Sequence, residues 1–244
     1  MIERLAWDSD FFGYEVGKAE ITYVEEILQS PQELDQFQLV YIYTKDRLQK
    51  NLLRNMVYLG SMVKFCKGIK TGKNAALPKF FSLDQAEGIY SFLSPNTNLG
   101  MAEGIYKGLR ELAIKSGGFS RFKLDKRLNR SEFEKLYTTW LQKAISGKER
   151  LLVYIKDKNI RGFITIVFGK EKARIGLIAV EDPYCGKGIG SRLLQAAIDS
   201  AGREGLEILE VKTQKANLPA MKLYEKTGFK LIEERKVYHW WKIR

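Results

Sequence analysis

Residues 175–191 read IGLIAVEDPYCGKGIGS, and this stretch decides the fold. The apolar run Ile175–Val180 has the length of a buried strand and ends at Glu181, Asp182 and Pro183. Apolar residues at Leu193, Leu194, Ala197, Ile198 and Ala201 then follow helical spacing. Gly186, Gly188 and Gly190 therefore stand at the start of a helix. There the first backbone N–H groups have no intrahelical partner and the helix dipole is positive, so a turn without Cβ atoms lets a phosphate group approach those donors. The chain is read as an α/β protein with an anion cradle between a strand and a helix.

Three phosphate-binding readings compete for the cradle. A Walker loop needs two glycines with four residues between them, followed by Lys and Ser or Thr, and that pattern is absent. A dinucleotide fingerprint would put its third glycine at Leu193; Glu210 lies at a suitable later distance, but the missing glycine and the antiparallel pattern upstream weigh against it. A second stretch, NLPAMKLYEKTGF at residues 217–229, fits an Asn-x-x-Ala-x-x-x-Tyr-x-x-x-Gly-Phe pattern. In this order and at this spacing, the two stretches resemble the GNAT acetyltransferase family.

The resemblance implies an acetyl-CoA co-substrate whose pyrophosphate sits on Cys185, Gly186, Lys187, Gly188, Ile189, Gly190 and Ser191. Cys185 departs from the Arg or Gln usual at its position and removes one side-chain contact to phosphate. It further implies that main-chain groups of Ile178, Ala179 and Val180 hold the pantetheine arm and supply an oxyanion donor. Asn217 would contact the co-substrate, although Asn at a helix start is also an ordinary N-cap. Tyr224 would protonate the departing thiolate; its alternative role is to pack its helix against the sheet. His239, the single histidine, could deprotonate the acceptor ammonium or be structural, and a water relay to Glu181 or Glu210 is equally open.

At 244 residues and 45% hydrophobic content, the chain can bury one large or two modest cores without metal or disulfide. Its two cysteines, Cys66 and Cys185, form no ligand cluster, no metal is expected, and no apolar run approaches 18 residues. A cytoplasmic protein without a membrane span is expected. The net charge of +12 lies in one half: residues 1–120 hold 14 Lys and Arg against 14 Asp and Glu, leaving 27 against 15 for residues 121–244. A basic field facing an anionic ligand and a merely lysine-rich surface both fit. No nucleic-acid motif accompanies the charge, so nucleic acid is not an expected partner.

Residues 1–24 read as an aromatic loop, with Trp7, Phe11 and Phe12, leading into a strand. Trp7 and Phe12 either face the acceptor or fill the core. This opening is similar to that of TDP-fucosamine acetyltransferases, sugar-nucleotide enzymes within the same superfamily. A helix broken at Ser30-Pro31, a strand at 39–43, a helix over Lys45–Leu59 ended by Gly60 and a strand at 62–66 follow. Residues 68–97 hold the best linker, with Phe80, Phe81, Tyr90 and Phe92 left to pack. Met101, Ile105, Leu109 and Leu112 then mark a helix stopped by Gly117-Gly118.

From Phe119 the pattern gives a strand at 119–124 and a helix opened by a capping box at Ser131–Glu134. Strands near 151–156, 160–168 and 173–181 lead into the cradle helix. After it come a strand at Leu206–Thr213, the 217–228 helix and two closing strands near 229–234 and 236–243. The expected architecture is a GNAT-type mixed, mostly antiparallel twisted sheet flanked by helices (residues 98–244). A smaller N-terminal α/β lobe and linker (1–97), faintly like a degenerate half-copy of the same fold, would precede it. The expected activity is acetyl transfer to the primary amine of a small acceptor, most like a nucleotide-linked deoxyamino sugar. Protein N-termini, lysines, polyamines, and a non-catalytic CoA-binding or RNA-associated role are the alternatives. A homodimer is one open assembly state.

Overall fold

The computed structural model describes residues 2–23, 26, 31–48, 55–72, 76–79, 84, 86–92 and 103–242. Much of the helix expected before Pro31, the middle of the one expected at 45–59, Met101 with much of the proposed linker, and Phe80 and Phe81 lie outside those residues. The strands are β1 (Glu3–Arg4), β2 (Val16–Ile21), β3 (Leu39–Thr44), β4 (Met56–Gly68), β5 (Gly88–Phe92), β6 (Arg150–Lys156), β7 (Asn159–Phe168), β8 (Ala173–Val180), β9 (Ile208–Gln214) and β10 (Lys230–Trp241). The helices are α1 (Ala6–Phe12), α2 (Pro31–Leu34), α3 (Glu103–Ser116), α4 (Arg121–Leu124), α5 (Arg130–Ile145), α6 (Ile189–Arg203) and α7 (Leu218–Lys226). No helix among the described residues is long and apolar enough to cross a membrane.

All ten strands join one sheet in the order β1-β2-β3-β10-β4-β9-β8-β7-β6-β5. Its pairs are antiparallel except β2 with β3 and β8 with β9. Period-2 burial sorts the side chains. One face carries Leu151, Val153 and Phe163 and is covered by Leu109 of α3, by Leu136 and Leu141 of α5, and by the aromatics of α1. The opposite face carries Val63, Phe65 and Val211 under Leu193, Leu194 and Ala197 of α6 and Tyr224 of α7. Val40, Ile42, Tyr238 and Trp240 close a third cluster around Phe37 at the N-terminal end of the sheet.

The boundary expected near residue 97 does not divide this sheet. β4 lies between β9 and β10, with Phe65 opposite Val211 and Lys64 opposite Glu233. Local sequence cannot reveal such long-range pairing. The helix expected over Lys45–Leu59 gives way to strand by Met56, and Gly60 (φ +93°) serves a bulge rather than a helix end. The expected strand at 119–124 is instead the turn of helix α4, capped by Ser120, whose hydroxyl accepts from the Lys123 N–H at 3.3 Å. The capping box of α5 begins at Asn129, two residues before the one expected. Asn129 Oδ1 accepts from the Glu132 N–H at 2.8 Å, and the Glu132 carboxylate accepts from the Asn129 N–H at 2.8 Å. The two closing strands are one bulged strand, β10.

Candidate active site

The site begins where the sheet comes apart. Pairing of β8 with β9 runs over Ala173↔Leu209 and Arg174↔Glu210 and then stops. β8 is also irregular against β7, with a register shift between Ile164 and Ile166. There the buried Thr165 hydroxyl accepts from the Leu177 N–H at 2.9 Å, and Gly176 lies so close that a Cβ would meet Thr165 Oγ1 at 2.6 Å. A glycine at such a bulge lets another group approach the strand.

Beyond the bulge, a cleft of about 540 Å3 opens between the end of β8, the N-terminus of α6 and α7. It brings together Ile178, Ala179, Val180, Cys185, Gly186, Gly188, Gly190, Ser191, Asn217 and Tyr224. Gly186 and Gly188 have φ of +76° and +83°, and a Cβ on either would meet nothing within 4 Å, so the space beside the turn at their Cβ positions is open. Gly188 is the N-cap of α6, whose first bond runs from the Arg192 N–H to the Gly188 carbonyl at 3.0 Å. The N–H groups of Ile189, Gly190 and Ser191 precede that bond. Gly190 also admits α7, since its Cβ would stand 2.9 Å from Leu223 Cδ2.

Two cradle residues do not line the cleft. Ile189 turns into the core, and the Lys187 ammonium lies 5.2 Å from the Tyr184 ring centre. Cys185 is exposed, with Sγ 3.6 Å from the Val180 carbonyl and 3.5 Å from the Glu181 carbonyl. Asn217 does cap α7, accepting from the Ala220 N–H at 3.3 Å and donating to Thr213 Oγ1 at 3.2 Å. Tyr224 is 2% exposed between Phe65 and Phe229, and burial raises its phenol pKa.

The acceptor-side candidates sit elsewhere. Trp7 stacks on Phe11 and Trp140 under the Lys143 ammonium, and Phe12 stacks on Tyr14; both are half-buried against the α3 and α5 face. His239 is wholly buried against Tyr41 and Phe122, with Nδ1 2.7 Å from Asp125 Oδ2. Burial lowers its pKa to about 4, although the Asp125 bond opposes the shift. The ring is therefore neutral and donates through Nδ1, which leaves Nε2 as an unpartnered acceptor. A base sealed in the core does not reach a solvent-borne amine.

Sequence reading missed Lys115, Ser116 and Phe119, which form the rim of the cleft at the end of α3. Lys115 donates to the Val180 carbonyl and to Asp182, each at 2.6 Å. Gly117-Gly118 was their one signal, because a helix that stops there must leave its last turn at the strand end.

Residues 117–229 match the acetyltransferase (GNAT) family. This stretch is a GNAT acetyltransferase domain. It is the domain of an acetyl-CoA-dependent N-acetyltransferase. The chain is 27% identical to the dTDP-fucosamine acetyltransferase of Escherichia coli O6:H1 over 93% of its length and 92% of that protein. It is 26% identical to the spore coat polysaccharide biosynthesis protein SpsD of Bacillus subtilis over 62% of its length, spanning about half (53%) of SpsD. In fold it is similar to a GNAT-family acetyltransferase from Colwellia psychrerythraea, with TM-score 0.50, 15% identity and coverage of 89% and 72% of the two chains.

The cradle of the GNAT domain fits the pyrophosphate of acetyl-CoA, because its glycine turn leads into the N–H groups of Ile189, Gly190 and Ser191, which have no intrahelical acceptor. Gly188→Asp puts a carboxylate on that turn and strains a left-handed backbone by about 1–2 kcal/mol. Acetyl-CoA affinity measured by calorimetry is expected to fall at least about tenfold, the equivalent of about 1.4 kcal/mol. An unchanged dissociation constant would place the cradle elsewhere.

Proposed function

We propose that this chain acetylates the primary amine of a nucleotide-linked deoxyamino sugar. The observation that carries the reading is the extent of the likeness to the dTDP-fucosamine acetyltransferase, which runs through the N-terminal strands as well as the GNAT domain. Those strands belong to the same sheet, so the likeness covers one architecture rather than a shared module. The basic excess of residues 121–244 suits an anionic acceptor better than a cationic polyamine.

In this reading, the N–H groups of Ile189, Gly190 and Ser191 hold the pyrophosphate of acetyl-CoA. Main-chain groups of Ile178, Ala179 and Val180 align the pantetheine arm along the unpaired edge of β8. Acetyl-CoA supplies an activated thioester, and Tyr224 keeps a proton at its Oη for the departing sulfur. Cys185 adds little to phosphate binding, and the main-chain donors carry that contact.

Thiol release from acetyl-CoA against dTDP-fucosamine, spermidine and an N-terminal peptide tests the acceptor. Turnover confined to the peptide or to spermidine would overturn the sugar reading. Binding is tested separately, because a ligand of the native state at 100 times its Kd stabilises by about 2.7 kcal/mol. For a chain of this size the melting temperature should then rise by about 5–10 °C. No shift at millimolar acetyl-CoA would remove the co-substrate from the proposal.

A further inference from the structure

We propose that Glu149 is the general base that takes the proton from the acceptor's ammonium. The inference rests on the cleft assignment above, and it starts from Gly176, the bare position where β8 leaves β9. A Cβ there would stand 3.3 Å from Glu149 Oε2, so the carboxylate lies directly over the strand two residues before Ile178.

The Thr165 hydroxyl, 0% exposed, holds it there. Its oxygen accepts from the Leu177 N–H, which leaves its own proton for Glu149. A chain of bonds thus links the base to the bulge: Leu177 N–H to Thr165, and Thr165 O–H to Glu149.

The two faces of the sheet separate the two proton transfers. Tyr224 approaches from the face packed by α6 and α7. Thr165 and Glu149 lie on the other face, against Gly176, two residues past the last β8–β9 pair at Arg174↔Glu210. Burial raises the Glu149 pKa; the Thr165 bond and, at longer range, Lys143 of α5 and Arg174 of β8 oppose the shift. A carboxylate raised in this way is a stronger base near neutral pH than an exposed one. The rival carboxylates are engaged: Glu181 pairs with Arg161 at 2.7 Å and Glu210 with Lys172 at 2.9 Å.

The proton balance closes. Glu149 takes one proton from R–NH3+, and the freed amine lone pair attacks the thioester carbonyl carbon. As the C–N bond forms and the C–S bond breaks, Tyr224 gives its proton to sulfur. The nitrogen loses its second proton to solvent, which also reprotonates Tyr224, and Glu149 returns its proton to solvent before the next turnover. The net products are the amide, the free thiol and one proton.

The test is the pH profile of kcat/KM for Glu149→Gln and Glu149→Asp, together with the acetyl-CoA Kd by calorimetry. At pH 7 the Gln variant should lose about 10²–10⁴-fold. The deficit should shrink as pH rises to the amine's own pKa, where the acceptor arrives deprotonated. Glu149→Asp should fall between the two, and Kd should stay within about twofold. Parent-like turnover at pH 7, a deficit constant across pH, or a Kd change equal to the rate loss would overturn the proposal. An acceptor other than an amino sugar would sink only the sugar reading, and the same profile on that amine would then decide Glu149.

Discussion

Tyr224→Phe is expected to lower kcat by about 10²–10⁴-fold, the usual contribution of a positioned general acid. The substitution keeps the ring against Phe65 and Phe229 and removes only the hydroxyl. Among the described residues that hydroxyl has no hydrogen-bond partner, so its loss strands no buried group and should leave the melting temperature nearly unchanged. The raised pKa fixes the sign: the phenol stays protonated throughout the working range and is a donor, not a base. The acetyl-CoA Kd should hold within about twofold, because the proton is needed only as charge develops on sulfur. A kcat within twofold of the parent would reduce Tyr224 to a packing residue, with water as the acid.

The cradle and the 217–229 helix were legible because their information is local. Gly186 and Gly188 need left-handed backbone, and the apolar spacing of Leu193, Leu194 and Ala197 states a helix without reference to the rest of the chain. Gly60 shows the limit of local signals. A glycine with φ of +93° fits a helix end or a strand bulge equally, and only the pairing of β4 with β10 decides for the bulge. His239 stayed open between a base and a structural role for a related reason. Its partner, Asp125, is 114 residues away and carries no motif, so nothing near the histidine says that it is buried. Glu149 was invisible for the same cause, since its place over Gly176 exists only after β6, β7 and β8 have paired.

Residues 56–68 show what the N-terminal half contributes. The Phe65 ring of β4 lies 5.5 Å from the Tyr224 ring, and the Lys67 ammonium donates to the Thr227 carbonyl at the end of α7 at 2.5 Å. Strand β4 is thus the platform under the proposed acid. A cut at the linker would remove a wall of the site rather than an appended lobe.

Asp125→Ala is expected to destabilise the fold by about 3–5 kcal/mol, near the top of the range for single substitutions. The carboxylate is 1% exposed and serves three donors: His239 Nδ1 at 2.7 Å, Trp241 Nε1 at 2.8 Å and the Arg127 N–H at 3.0 Å. Burial alone would favour the neutral acid, but those bonds outweigh it and hold the pKa below the ordinary carboxylate value. Alanine leaves the donors without an acceptor, at about 1–3 kcal/mol for each one that stays buried. The melting temperature should fall by roughly 10 °C, and Asp125→Asn, which keeps one carbonyl acceptor, should lose less. The pH dependence identifies the partner. His239 has its pKa depressed from 6.5 to about 4, so its contribution is complete above pH 6.5 and is lost as pH falls to about 4, amounting to about 3 kcal/mol. In His239→Phe that part of the acid loss should vanish while the neutral-pH fold persists. A destabilisation by Asp125→Ala below about 1 kcal/mol, measured by urea unfolding at pH 7, would show that the donors find water and that the cluster is not sealed.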